Sequence, residues 1–276
     1  MHRAAITFCR LQGSYELIDL APEQLAAGIE RIKQEGYSGF NVTVPHKKSV
    51  MAFMDELTPE AQRVQAVNTV RMEAAGKLVG HNTDTGGFVS ALQACLGAEA
   101  AQGTACLIGS GGAARAGLWG LHRFGFRKIV LVARNHDAAL EMRNDFQRAL
   151  ADDAPESLVL LSKLDNVGGV ITDDLRLVVN TTPIGVADLV VPEWYADLLR
   201  SVVNVSPSAT FYDMVYARSD AHTLLQQLAN EAGLVSFNGL QMLIGQASLA
   251  FQFWTGVEVS TTVMASGLQA EQSAGC

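Results

Sequence analysis

Cysteine is scarce. There are four in 276 residues (Cys9, Cys95, Cys106 and Cys276), scattered and with no C-x-x-C pair. That spacing argues against a disulfide framework or a metal site, and it fits a reducing cytoplasm. Long apolar runs are lacking as well: none reaches the roughly 18 residues that a membrane-spanning helix needs. The start, Met1-His2-Arg3-Ala4-Ala5, lacks the apolar stretch of a signal peptide. Basic residues are outnumbered, 20 Lys and Arg against 28 Asp and Glu, for a net charge of −8. Nucleic acid and anionic membrane are thereby argued against as partners, since both call for basic patches, although a local basic pocket for a phosphate stays open. Internal repeats and low-complexity tracts are absent. What is present in quantity is apolar: 49% of the chain is hydrophobic, enough for a sizeable core in one or two domains, two being favoured by the length.

Three short strings put polar side chains at the ends of apolar strand patterns. They are Asn41-Val42-Thr43-Val44-Pro45-His46-Lys47, Ala66-Val67-Asn68-Thr69 and Gly80-His81-Asn82-Thr83-Asp84. Strand patterns cover residues 15–20, 39–44, 67–72, 104–108, 128–133, 175–180 and 209–214. Helical spacing marks 22–35, with Pro22 at its start and Gly36 beyond its end, and also 85–96, 112–124 and 239–255. The run 169–171 is too short to assign. The small, polar tail 266–276 is expected to fray. Alternating strands and helices imply an α/β fold with a parallel or mixed sheet, and the polar stretch at 97–103 looks like a domain boundary.

Gly109-Ser110-Gly111-Gly112-Ala113-Ala114 stands between an apolar strand and a helix. The first glycine of such a turn permits the sharp bend, and the second lets backbone approach a pyrophosphate. A small third residue, here Ala114, lets helix and strand pack closely, and the helix N-terminus offers free N–H groups. This points to a dinucleotide. An NAD site ordinarily has Asp or Glu about 20 residues on. Here Ala133-Arg134-Asn135 has no carboxylate, and Arg134 suits a 2′-phosphate, which favours NADP. Asp137 keeps NAD open.

Seven ordered strings resemble the shikimate dehydrogenase family, which includes quinate/shikimate dehydrogenases. They are N-V-T-x-P-x-K at Asn41–Lys47, A-x-N-T at Ala66–Thr69, G-x-N-T-D at Gly80–Asp84, G-x-G-G-A at Gly109–Ala113, N-x-T-P-x-G at Asn180–Gly185, Y-D-M-x-Y at Tyr212–Tyr216 and G-x-x-M-L-x-x-Q at Gly239–Gln246. The resemblance implies an N-terminal α/β substrate-binding domain plus a Rossmann-type domain. The first would be discontinuous, residues 1–97 and 239–276, because the C-terminal helix returns to it; the second would be 98–238. It implies Lys47 and Asp84 as the catalytic pair. It also implies Thr43, Asn68, Asp84 and Gln246 as ligands of substrate hydroxyls, and Tyr216 as a contact on the carboxylate side. Gly109, Gly111, Gly112, Ala113 and Arg134 become cofactor contacts, with Thr181, Met214 and Gly239 near the nicotinamide half. The implied reaction is reversible, NADP-dependent reduction of 3-dehydroshikimate to shikimate by a cytoplasmic monomer or homodimer. The alternatives are an NAD-dependent quinate/shikimate dehydrogenase and a non-catalytic dinucleotide-binding paralogue.

The chemistry agrees. Hydride reduction of a ketone leaves an alkoxide that needs a proton, and a lysine ammonium is a compact donor on a flexible stem. Plainer readings exist for the same residues: Lys47 as a surface side chain, Asp84 as a helix cap, Asn68 as a strand-end cap and Gln246 as a polar group satisfied within a helix. His46 and His81 flank motifs without filling a motif position. Departures from the family pattern are few. Met1-His2-Arg3 matches only the last three positions of an H-S-x-S-P-x-M-H-N segment, so the first strand and both carboxylate-binding serines are absent. The expectation is an incomplete version of an ordinary member, with a strand left short of its partner. The basic residue usual four places after Arg134 is Ala138, and the methionine usual after Gly185 is Val186, which weakens the NADP preference.

Overall fold

A run such as Thr104-Ala105-Cys106-Leu107-Ile108 has no polar face to turn to water, so it forms a strand covered on both sides, and all five residues are buried. The computed structural model describes residues 1–150, 158–162, 171–186, 190–217 and 222–274. The chain divides into two compact units, Met1–Gly87 with Leu243–Cys276, and Phe88–Met242.

The first unit contains α1 (His2–Phe8), α2 (Leu25–Gln34), β1 (Gly39–Asn41), β2 (Glu56–Leu57), α3 (Pro59–Val64), β3 (Thr69–Met72) and β4 (Leu78–His81), and the start of α4 (Asp84–Cys95). Its sheet runs β1-β3-β4-β2, with β3 antiparallel to both neighbours and β2 parallel to β4. The apolar face of α2, carried by Leu25 and Ile29, joins Val42, Val50, Val67, Val70 and Leu78 in one core. The register Thr69↔His81 sets the C-terminal end of β4 beside the start of β3. The motif residues Asn68 and Asn82 to Asp84 are therefore neighbours.

The second unit contains β5 (Thr104–Ile108), α5 (Gly112–Phe124), β6 (Lys128–Val132), α6 (His136–Leu150), β7 (Leu158–Ser162), β8 (Leu175–Asn180), α7 (Glu193–Val205), β9 (Thr210–Asp213), α8 (Leu224–Ala232) and β10 (Val235–Asn238). Its six strands are all parallel, in the order β10-β9-β8-β5-β6-β7. The chain builds outward from β5 in one direction, then returns to β8 and builds outward in the other. In such a doubly wound sheet a ligand crevice forms outside the carboxyl ends of the two strands where the order reverses. Here those strands are β5 and β8, which end at Ile108 and Asn180. The expected α/β fold is thus observed, with the Gly109 turn at the switch point. The chain then enters α9 (Leu240–Thr255) and ends in α10 (Thr261–Ala274).

Several expectations need correction. Residues 15–20 form no strand. Arg3 Nε binds the Tyr15 carbonyl, Leu17 is 91% exposed, and no strand lies alongside among the described residues to complete a ladder. The segment is held by side chains instead. Tyr15 packs on His2 and Trp254, and Leu20 fills the space over Gly28 of α2, where a Cβ would lie 2.4 Å from its Cδ1. Nor does the tail fray from 266: α10 continues to Ala274, and Gly267 lets α1 approach so closely that a Cβ there would lie 2.6 Å from Ala4 Cβ. The division between units differs from the 97/98 and 238/239 boundaries because both cuts fall inside helices, α4 and α9. The polar stretch near 97 is the 3-10 turn Ala98–Gln102 leading into β5. Of the run 169–171, residues 169 and 170 lie outside the described residues.

Two histidines of the first unit are held neutral by burial, which lowers both His2 and His81 from the usual 6.5 to about 4. His81 stacks on Phe253 and pairs through Nδ1 with Thr58 Oγ1. A histidine with a lowered folded-state pKa contributes stability above 6.5 that is lost as pH falls toward 4, because the unfolded chain takes up the proton first. In urea melts from pH 6.5 down to pH 4, the wild type is expected to lose stability more steeply than His81→Phe, by at most about 1.4 kcal/mol per pH unit. Equal slopes would mean that His81 is charged in the folded protein.

Candidate active site

The residues around Asp84 form one hydrogen-bonded cluster within the first unit. Asp84 is the first residue of α4, where the positive end of the helix dipole favours a carboxylate. Its side chain is 7% exposed and meets the Lys47 ammonium, 15% exposed, at 2.7 Å through Oδ2. Its other oxygen accepts from Asn68 Nδ2 at 2.8 Å. Asn68 is turned the right way for this because its own Oδ1 accepts the Thr83 N–H at 2.8 Å and the Thr69 hydroxyl at 3.0 Å. Gln246 reaches the cluster from α9. Its Nε2 binds the Leu243 carbonyl at 3.0 Å, and its Oε1 lies 3.4 Å from Thr83 Oγ1 and 3.5 Å from Asn68 Nδ2.

Lys47 is fixed through its backbone. Its carbonyl accepts the Val67 N–H at 2.8 Å, joining the turn that carries it to the segment Val67-Asn68 that leads into β3. Capping of α4 falls to Asn82, whose Oδ1 accepts the Thr85 N–H, so Asp84 is free to face Lys47. This disposes of the reading of Asp84 as only a cap. Lys47, Asn68, Asp84 and Gln246 are therefore brought together. Thr43 is exposed on the turn before Lys47 and makes no hydrogen bond within the cluster, and Tyr216, 41% exposed, follows β9 in the other unit. His46 and His81 bind the Leu20 carbonyl and Thr58 Oγ1 and take no part in it. Thr69 and Thr83, inside the motifs but without an assigned role, turn out to orient Asn68. Asn41 supports Thr69 in turn, at 3.3 Å. The only sequence signal for this layer is a β-branched polar residue at a strand end.

The switch point of the second unit suits a dinucleotide. Gly109 has φ +127°, and a Cβ there would meet Thr181 Oγ1 at 2.2 Å, so no other residue fits. Thr181 Oγ1 donates to the Ile108 carbonyl at 2.8 Å, tying the ends of β5 and β8 together. Gly111 is the opposite case: a Cβ would project into open space, leaving room for a phosphate to come against backbone. The first turn of α5, beginning at Gly112 and Ala113, receives no side-chain cap, so its amides remain available to an anion. Ala114 is fully buried where helix meets strand. Arg134 is exposed beyond the end of β6, and Asn135 caps α6 by accepting the Ala138 N–H. Met214 lays its methyl over Gly117 of α5, and its carbonyl would lie 2.1 Å from a Cβ on Gly239. These features fit a bound dinucleotide with its phosphates at Gly111.

Comparison with known proteins agrees along nearly the whole chain. Residues 1–70 match the shikimate dehydrogenase substrate binding domain, and residues 239–266 match the shikimate 5'-dehydrogenase C-terminal domain. A shikimate dehydrogenase (NADP(+)) of Citrifermentans bemidjiense is 37% identical over 256 residues, spanning 93% of this chain and 84% of that protein. Among solved structures, shikimate 5-dehydrogenase of Thermus thermophilus in complex with NADP(H) and shikimate is 30% identical, with a TM-score of 0.77 over 98% of this chain and 92% of that one. A quinate dehydrogenase of Corynebacterium glutamicum in complex with NAD is 25% identical, with a TM-score of 0.82 over 98% and 92%. Ordered motifs, a buried Lys–Asp–Asn cluster and a likeness that spans both units agree on one conclusion: the chain belongs to the shikimate dehydrogenase family.

Proposed function

We infer that this protein is an NADP-dependent shikimate dehydrogenase, reducing 3-dehydroshikimate reversibly to shikimate, with Lys47 as the proton donor. The observation that carries the assignment of Lys47 is its 2.7 Å contact with a carboxylate that is itself oriented by Asn68. NADP, when bound, supplies or takes up hydride at the carbon. The chain's own part is to place substrate and handle the proton. Lys47 gives a proton to the developing alkoxide in reduction and, when neutral, removes one from the hydroxyl in oxidation. Asp84 holds the ammonium in one place, and Asn68 stops Asp84 from turning away.

Asn68, Asp84 and Gln246 present amide and carboxylate groups suited to vicinal hydroxyls, Thr43 stands at the turn before them, and Tyr216 takes the acid side of the substrate. Gly109, Gly111, Gly112 and Ala113 take the pyrophosphate, Arg134 takes the 2′-phosphate, and Thr181, Met214 and Gly239 take the nicotinamide half. In this reading the protein is a cytoplasmic monomer or homodimer acting on a small molecule, without nucleic acid or membrane as partner. Among the described residues no helix is long and apolar enough to cross a membrane.

Shikimate with NADP is expected to give steady formation of NADPH. NADP binding without any turnover would leave a dinucleotide-binding paralogue, and faster turnover of quinate with NAD would replace the substrate assignment. Lys47→Ala is expected to lower kcat by about a thousandfold, with circular dichroism unchanged; a rate within a few-fold of wild type would remove Lys47 from the chemistry. Arg134→Leu is expected to lower kcat/KM for NADP by roughly ten- to a hundredfold, the worth of one charge-assisted bond, and to leave NAD unaffected. Equal losses with both cofactors would place Arg134 elsewhere.

A further inference from the structure

A second buried carboxylate lies in the other unit, and the proton-handling cluster makes no use of it. Asp213 ends β9 and is fully buried, 0% exposed. Among the described residues its donors are all neutral: Asn180 Nδ2 at 2.8 Å and the Val215 N–H at 3.1 Å on Oδ1, and the Thr223 hydroxyl at 2.6 Å on Oδ2. Burial raises its carboxyl to about 6 in spite of these three bonds. A carboxylate removed from water without a cation is costly, so what it holds in place is informative.

The hydrogen bonds continue past Asp213 in both directions. Asn180 Oδ1 accepts the Thr182 N–H and the Thr182 hydroxyl, which sets the loop after β8. On the other side Thr223 caps α8, accepting the Gln226 N–H at 3.1 Å. Gln226 Oε1 accepts the Thr223 N–H and Asn238 Nδ2, and Asn238 Oδ1 accepts the Leu240 N–H. One chain of polar groups thus links the carboxyl ends of β8, β9 and β10 to the start of α9. Every strand end it grips is next in sequence to a residue of the cofactor cradle: Asn180 to Thr181, Asp213 to Met214, and Asn238 to Gly239. Backbone contacts complete the brace, with the Met214 N–H on the Asn180 carbonyl and the Gly239 N–H on the Val215 carbonyl, both at 2.9 Å.

We propose that Asp213 is a positioning residue for the nicotinamide half of NADP, fixing the spacing of Thr181, Met214 and Gly239 through Asn180, Thr223 and the Gln226–Asn238 link. The proposal rests on the reading of those three as the nicotinamide side of the cofactor site. Its consequence is one-sided. The brace occupies the β8-β9-β10 half of the sheet, whereas Arg134 and the Gly111 turn belong to the β5-β6 half. Loss of Asp213 therefore harms binding of the whole dinucleotide and spares binding of its adenosine half alone.

The test is equilibrium binding of NADPH and of adenosine 2′,5′-bisphosphate, which lacks the nicotinamide, to the full-length protein. Asp213→Ala is expected to weaken NADPH by about tenfold while the bisphosphate stays within about twofold. Unchanged NADPH binding, or equal weakening of both ligands as a general loss of structure would produce, overturns the proposal. If Asp213→Ala does not fold, Thr223→Val removes one donor and leaves the carboxylate. A loss of about threefold confined to NADPH is then expected, with the same two outcomes against it. Met214→Ala separates the underlying reading: if that variant binds NADPH normally, the cradle assignment fails, whereas a weakened Met214→Ala beside a normal Asp213→Ala condemns only the role of Asp213.

Discussion

A carboxylate that has lost its water must find its charge answered within the protein, and Asp84 meets that demand with Lys47 on one oxygen and Asn68 on the other. Much of the first unit's local structure follows from this. Asn68 can donate to Asp84 only if its own carbonyl is occupied, and that requires the Thr83 amide and the Thr69 hydroxyl, hence the register of β3 against β4. Lys47 can reach Asp84 only if its turn is tied down, and the Val67 N–H does that. A buried ion pair of this kind is a weak source of stability, because apolar residues of similar volume commonly do as well. Its presence among groups so fully hydrogen-bonded argues that it is kept for what the ammonium can do.

The two buried carboxylates make the point by contrast. Asp84 faces a cation and lies beside an ammonium that is still partly open to solvent. Among the described residues Asp213 faces only neutral donors, and it is fully buried. A group that works with a proton donor needs access and a partner of opposite charge. A group that only orients its neighbours needs several fixed donors and gains nothing from access. The environments of the two aspartates, rather than their residue type, sort them into these roles.

Much of this is legible in the sequence, for identifiable reasons. The bounds of β5, α5 and β8 emerge as read because parallel strands buried on both faces are continuous apolar runs, and because glycine at either end of α5 marks its limits. Residues 15–20 depart from the expected strand because a short apolar pattern reports a potential strand, not the neighbour that would pair with it. The tail from 266 departs from the expected fraying because small residues look featureless until a second helix packs on them, as α1 does at Gly267. Lys47, Asn68, Asp84 and Gln246 are each legible as motif residues. Their convergence is not, since Gln246 lies 178 positions from Asn68 and only the path of α9 brings it there. Asp213 and Asn180 sit in plain view within two motifs. What the sequence does not convey is that they bind each other, because that contact depends on β8 and β9 being adjacent and in register at Asn180↔Asp213.

Charge poses the last question. An acidic chain, net −8, that takes an anionic cofactor and an acid substrate repels both at long range. Attraction has to be local and mostly uncharged, and the structure is built that way. In the proposed reading the pyrophosphate end meets backbone amides at the start of α5, where a helix N-terminus supplies partial positive charge without any lysine. The two cations the proposed reading uses are Arg134, exposed beyond β6, and Lys47, already committed to Asp84. A lysine committed in this way adds little net field, so it is not there to gather anions. Its partner leaves the ammonium in one defined position, which is the property proton transfer requires and simple electrostatic attraction does not.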